Sequence, residues 1–351
     1  MTLNELLDEL SERKGSDLHL VVGEPPIFRV NGHLLRREET TPLNGSAMDS
    51  LILPYLTEPQ RARISEGYDV EKTLALEKFR YRFLIFHERG NLAASLRVVP
   101  NQVPTLEELG FTDEEYPLHK LTKLKRGLII VAGPTGSGKS TTIAAMVEEI
   151  NRTRAERIIT IEDPIEYEFQ SKLSVVSQRT VGEDVPNFPS GLRSAFRADP
   201  DVLLIGEARD LETMILALTL ADTGHLVFMT LHVNTASEAV RRLIDVFPES
   251  HQPVIRRQVS NNLQAVIAQT LVPRHNQPGR VPAEEILIGT PRIRRMIAEG
   301  NYDLTIAIEA EREMGMRTKD DDLVRLANKG VISVEMARSR MDDRNRLPYP
   351  E

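Results

Sequence analysis

The chain has 351 residues, 40% hydrophobic and 27% charged, with a net charge of −8 and no cysteine. That length and composition fit an ordinary globular protein of two domains with a sizeable core. The missing cysteines exclude disulfides and thiolate zinc sites and fit a reducing compartment, the acidic balance argues against wrapping nucleic acid, and no apolar run reaches the ~18 residues needed to span a bilayer.

The N-terminus places Leu3, Leu6, Leu7 and Leu10 on one face of a charged amphipathic helix, the pattern of a helix packed on its own domain rather than of a signal peptide. Two strands follow, in "DLHLVVG" and "PPIFRVNGHLLRR", separated by Gly23, Pro25 and Pro26, with a hairpin turn at Asn31-Gly32. "AMDSLILPYL" and "TEPQRARISEG" read as helices. "FRYRFLIFHERGNLAASLRVVP" reads as a strand, a turn at Arg89-Gly90 and a second strand. Residues 1–100 therefore form a small α+β domain. Residues 101–117, with prolines near both ends and an acidic run, read as an interdomain linker with one short helix.

From about Leu118 the pattern changes to short apolar strands alternating with helices: "GLIIVAG", "RIITIEDP", "VLLIGEARD" and "HLVFMTLH". Continuous apolar runs of this kind mark parallel strands buried on both faces, so residues 118–351 form an α/β domain. Its last part, from about Pro282, reads as mostly helical and strongly charged. In an open parallel sheet the ligand crevice lies beyond the carboxyl ends of the strands, so the residues that follow each run carry the functional signal.

Gly133, Pro134, Thr135, Gly136, Ser137, Gly138, Lys139 and Ser140 fit the phosphate-loop pattern GxxxxGK[ST], with Thr141 next in the following helix. The glycines allow backbone N–H groups to turn towards the phosphates of ATP, Lys139 reaches the β/γ oxygens, and the Ser140 hydroxyl ligates Mg²⁺. The helix N-terminus behind the loop adds a favourable dipole. "VLLIGEARD" is an apolar strand ending at Glu207, a carboxylate suited to orienting Mg²⁺ or its water. Glu162, Asp163 and Glu166 follow another apolar strand, and any one of them can serve as general base for the attacking water. His225 and His232 stand at the two ends of a further strand, where a γ-phosphate sensor would be placed. Arg82, Arg97, Arg193, Arg197 and Arg242 are candidates for stabilising transition-state charge from another domain or subunit.

Phosphate loop, "ITIEDPIE", "GEARD" and "TGHLVFMTLH" occur in an order that resembles the secretion ATPases of the type II secretion and type IV pilus class. "GSDLHLVVGEPPIFRVNG", "FRADPDVLLIGEARDLET", "DVFP" and "EEILIGTPRIRRMIAEG" extend the resemblance over almost the full length, towards the pilus-retraction members. The resemblance implies a PAS-like N-terminal α+β domain followed by a RecA-like P-loop ATPase domain with a helical C-terminal subregion. It implies a cytoplasmic homohexameric ring, peripheral on the inner face of the cytoplasmic membrane, that uses ATP and Mg²⁺. Such a ring would act on an inner-membrane pilus platform protein and power pilus retraction and twitching motility. On the family pattern, Glu166 polarises the attacking water, Glu207 is the Walker B acid and His232 closes the histidine box. Arg82 and Arg97 match arginines that swing onto the phosphates when a subunit closes, and Arg197 and Arg242 match arginines placed near the site from the ring.

The chain departs from the retraction pattern at Ala208, where a methionine is common, and in "RIRRMIAE", which usually reads "AIRNLIRE". Of that segment it keeps Ile293, Arg294, Ile297 and Glu299. The rival readings are an accessory retraction ATPase, an extension or type II secretion ATPase, and a nucleic-acid translocase on a similar core. The second of these typically carries a tetracysteine zinc element, which a chain without cysteine cannot form. The translocase is disfavoured by the acidic balance and by the lack of an aromatic-basic cluster.

Overall fold

The computed structural model describes residues 1–30, 32–37, 40–76, 79–99, 102–112, 116–277 and 279–347. Asn31 of the expected hairpin turn and the acidic run at 113–115 lie outside the described residues. The chain forms two compact units, Met1–Gln102 with Pro164–Tyr167, and Val103–Asp163 with Glu168–Glu351.

The N-terminal unit opens with helix α1 (Leu3–Glu12), started by a capping box in which Thr2 and Glu5 satisfy each other's backbone N–H groups. Its four leucines are buried. Strands β1 (Asp17–Leu20), β2 (Ile27–Val30) and β3 (His33–Arg36) follow, then helices α2 (Gly45–Ile52) and α3 (Glu58–Ser65), and strands β4 (Val70–Ala75), β5 (Arg80–Glu88) and β6 (Asn91–Val99). They form an antiparallel sheet in the order β3-β2-β1-β6-β5-β4. The β5–β6 turn uses positive φ at both Arg89 and Gly90, the geometry that matches strand twist in a two-residue hairpin. The segment Pro164–Tyr167 joins this unit, and the Thr73 hydroxyl on β4 donates to the Ile165 carbonyl at 3.2 Å.

The C-terminal unit contains α4 (Leu118–Leu121), β7 (Gly127–Ala132), α5 (Lys139–Thr153), β8 (Arg157–Glu162), β9 (Val175–Thr180), α6 (Phe188–Ala195), β10 (Val202–Ile205), α7 (Leu211–Asp222) and β11 (Leu226–Leu231). It continues through α8 (Ala236–Asp245), α9 (Gln252–Asn262), β12 (Leu263–Pro273), β13 (Arg280–Ile288), α10 (Pro291–Glu299), α11 (Thr305–Ala310), α12 (Lys319–Asn328) and α13 (Val334–Arg340). The sheet order is β13-β12-β7-β11-β10-β8-β9, parallel except for the β12–β13 pair. Alternate residues feed two cores, as the pleat requires: Leu128, Ile130 and Ala132 of β7 pack on one face, Ile129 and Val131 on the other. None of the described helices is long and apolar enough to cross a membrane.

Two stretches differ from the sequence reading. Residues from about 282 were expected to be mostly helical, and they are from Pro291 onward, but the start of the region belongs to strand β13 (Arg280–Ile288). Pro282 is tolerated because β13 is an edge strand, where a missing N–H costs little of the ladder. The stretch read as a linker contributes Leu106, Phe111 and Tyr116 to the core of the C-terminal unit. The Tyr116 hydroxyl donates to Asp322 at 3.1 Å, and Asp322 also accepts from Arg317 at 3.0 Å, Arg325 at 2.8 Å and the Glu284 backbone N–H at 3.0 Å. Burial, followed by the charge of Asp322, pushes the Glu284 carboxyl well above its ordinary range.

Candidate active site

The loop between β7 and α5 is set by glycine. Gly133, Gly136 and Gly138 all hold positive φ. A Cβ on Gly133 would stand 2.4 Å from the Gln269 carbonyl, so that position has steric room for glycine alone. Gly138 is the N-cap residue of α5, whose first turn carries Lys139 and Ser140. The buried Lys139 ammonium donates to the carbonyls of Gly133 at 2.9 Å and Pro134 at 3.0 Å, which folds its chain back over the loop. Thr135, Gly136 and Ser140 are exposed, and Ser137 is buried.

Glu207 and His232 meet at the carboxyl ends of β10 and β11. His232 Nε2 lies 3.0 Å from Glu207 Oε1, and Arg209 pairs with the same carboxylate oxygen. Burial, with the cations of Lys139 and Arg209, holds the His232 imidazole below its ordinary value against the pull of Glu207. The His232 ring thus stands beside the Glu207 carboxylate with its Nε2 towards it. The Thr230 hydroxyl on β11 donates to the Gly206 carbonyl and fixes the turn that presents Glu207. His225, at the opposite end of β11, bonds through Nδ1 to the Leu220 carbonyl at 2.9 Å and packs near Phe196, a structural role.

The three acids after β8 separate. Glu162 is buried and accepts from the Thr160 hydroxyl at 2.6 Å and from Gln178 at 3.2 Å. Asp163 is exposed. Glu166 belongs to the N-terminal unit, where it lies 3.7 Å from Arg82, which also pairs with Glu71 at 3.2 Å. Arg97 donates to Asp17 at 2.7 Å, though 67% of its side chain is exposed. Burial pushes the Asp17 carboxyl up, but hydrogen bonds from Ser16 and Arg97 outweigh it and the group sits below its ordinary value. Arg197 and Arg242 are exposed on the C-terminal unit, and Arg193 pairs with Glu212.

These residues fit a nucleotide with its magnesium. A Cβ on Gly133 would collide with the Gln269 carbonyl and the Ser137 side chain, and α5 starts at Gly138 with the positive end of its dipole at the loop, which suits phosphate. Ser140 and Glu207 offer hydroxyl and carboxylate oxygens, the hard donors that Mg²⁺ takes.

Sequence reasoning missed Arg209, Thr230 and, above all, Gln269 on β12. Gln269 is 3% exposed, and its amide bonds both Ser137 and Thr142. Its only signal was a polar residue inside the apolar run "LQAVIAQTLVP".

The model of the type II/IV secretion system protein family matches residues 1–294. The chain is 42% identical to the type IV pilus retraction ATPase PilT of Pseudomonas aeruginosa, over 97% of this chain and 98% of that protein. It is 37% identical to the type IV pilus ATPase PilU of the same organism, over 99% of this chain and 90% of that one. The crystal structure of the pilus retraction motor PilT with bound ADP superposes with a TM-score of 0.89 at 40% identity, covering 99% of both chains.

Proposed function

Because the chain belongs to the type II/IV secretion system protein family, we propose that it is an ATP-hydrolysing motor that powers type IV pilus retraction. The observation that carries this reading is a phosphate loop and a Glu207–His232 pair at the ends of the neighbouring strands β7, β10 and β11, on a chain similar to a retraction ATPase along nearly its whole length. Phosphoryl transfer to water asks the protein mainly for positioning and charge stabilisation. Loop amides and Lys139 bind the phosphates. Ser140 and Glu207 would hold Mg²⁺, which when bound neutralises phosphate charge. His232 keeps the Glu207 carboxylate aimed. Glu166 polarises the attacking water. Arg82, Arg97, Arg197 and Arg242 supply positive charge to the triphosphate in an assembled homohexameric ring. The ring works at the inner face of the cytoplasmic membrane against an inner-membrane pilus platform protein.

The retained residues of the segment Arg292–Glu299 hold it on the C-terminal unit. Ile293 and Ile297 are buried, and Arg294 donates to the carbonyls of Gly289 and Ser260, both at 2.7 Å. Of the departures, Arg292, Arg295 and Ala298 are exposed, whereas Met296 is half-buried and packs against the core. Deleting the gene in its host tests the proposal. Hyperpiliated, non-twitching cells are expected; bald cells would assign the chain to extension.

A further inference from the structure

Gln269 stands at the point where β12 runs past the start of the phosphate loop. The β12–β7 register pairs Ala268 with Ala132, so the next residue on each strand is Gln269 and Gly133. Three features of the loop are set against this one side chain and its backbone. The Gln269 carbonyl lies where a Cβ on Gly133 would stand, at 2.4 Å. Its Nε2 donates to the Ser137 carbonyl at 2.8 Å and would lie 2.8 Å from a Cβ on Gly138. Its Oε1 accepts from the Thr142 hydroxyl at 2.8 Å, in the first turns of α5.

The hydrogen bond to Ser137 has a directional consequence. In a trans peptide the C=O and the following N–H point in opposite directions. Drawing the Ser137 carbonyl towards β12 therefore turns the Gly138 N–H away from β12. A phosphate loop works by presenting such N–H groups to an anion. A glutamine amide suits the task because one end donates and the other accepts, so both the loop and the helix are held by one neutral group. Its near-complete burial means that no water competes for either bond.

We propose that Gln269 is a positioning residue of the phosphate loop: its side-chain amide fixes the Ser137–Gly138 peptide and the start of α5, and through them sets nucleotide affinity. The proposal rests on Gly133–Ser140 being the nucleotide site, and Lys139→Ala serves as the control for that reading.

The test uses the full-length protein, titrated with a fluorescent ADP analogue and assayed for steady-state ATP hydrolysis. Gln269→Leu is expected to raise the dissociation constant and KM about tenfold or more, and Thr142→Val about threefold, from the loss of neutral buried hydrogen bonds. In both, KM should rise by more than kcat falls. Thr142→Ser, which keeps the hydroxyl, should restore wild-type binding. Because Thr142→Val removes only one methyl-sized polar contact, it remains informative if Gln269→Leu fails to fold. Wild-type affinity in both Gln269→Leu and Thr142→Val, alongside lost binding in Lys139→Ala, would overturn the role of Gln269. Wild-type affinity in Lys139→Ala would overturn the phosphate-loop reading, and the proposal with it.

Discussion

Asp322 is fully buried, and its two oxygens take hydrogen bonds from Tyr116, Arg317, Arg325 and the Glu284 backbone. Removing one partner of a buried charge pair leaves the others uncompensated, so Asp322→Ala should destabilise the protein by about 3 kcal/mol or more in denaturant unfolding. A loss below about 1 kcal/mol, the range of exposed pairs, would contradict this reading of the cluster. Its neighbour Asp321 gives a pH signature. Burial pushes its carboxyl up, but hydrogen bonds from Arg312, Thr318 and Arg346 outweigh it and hold the group at about 2. The folded value is thus below the unfolded value of about 4. The stabilisation is complete above about pH 4 and is lost as pH falls towards 2. The melting temperature should fall across that window, and Asp321→Asn should flatten part of the fall; an unchanged slope in the variant would contradict it.

At the scale of elements, helix α10 is held through Arg294, which bridges to the end of α9 and to the turn after β13. Arg294→Ala should raise hydrogen exchange in α10 before the central strands respond, since the helix otherwise docks through Ile293 and Ile297. Equal exchange in both proteins would show that the apolar contacts suffice. Strands β7, β8, β10 and β11 were legible in the sequence because each is an apolar run buried on both faces, and the polar residues after them led to Lys139, Glu207 and His232. The pair β12–β13 was not legible. Gln269 and Glu284 interrupt their apolar pattern, and both are buried only because residues distant in sequence enclose them. The placing of Glu166 was equally out of reach, since the Thr73–Ile165 bond joins residues 92 apart in the chain.

For the whole molecule, the proposal of a ring makes assembly part of the chemistry, because in it the exposed Arg197 and Arg242 would meet the phosphate of another subunit. Light scattering with Mg²⁺ and a non-hydrolysable ATP analogue should report a hexamer, and a chain that stays monomeric would contradict the ring. Glu166→Gln should keep nucleotide binding while slowing hydrolysis by roughly a hundredfold, the lower range for a lost general base; hydrolysis at the wild-type rate would move that role to another residue. The central claim is that ATP turnover at the phosphate loop drives pilus retraction. Its most direct measurement is twitching and surface piliation in cells whose only copy carries Lys139→Ala, with the variant protein present at wild-type level. Hyperpiliated cells that do not twitch are expected; cells that retract and twitch normally would contradict a retraction motor driven from this loop.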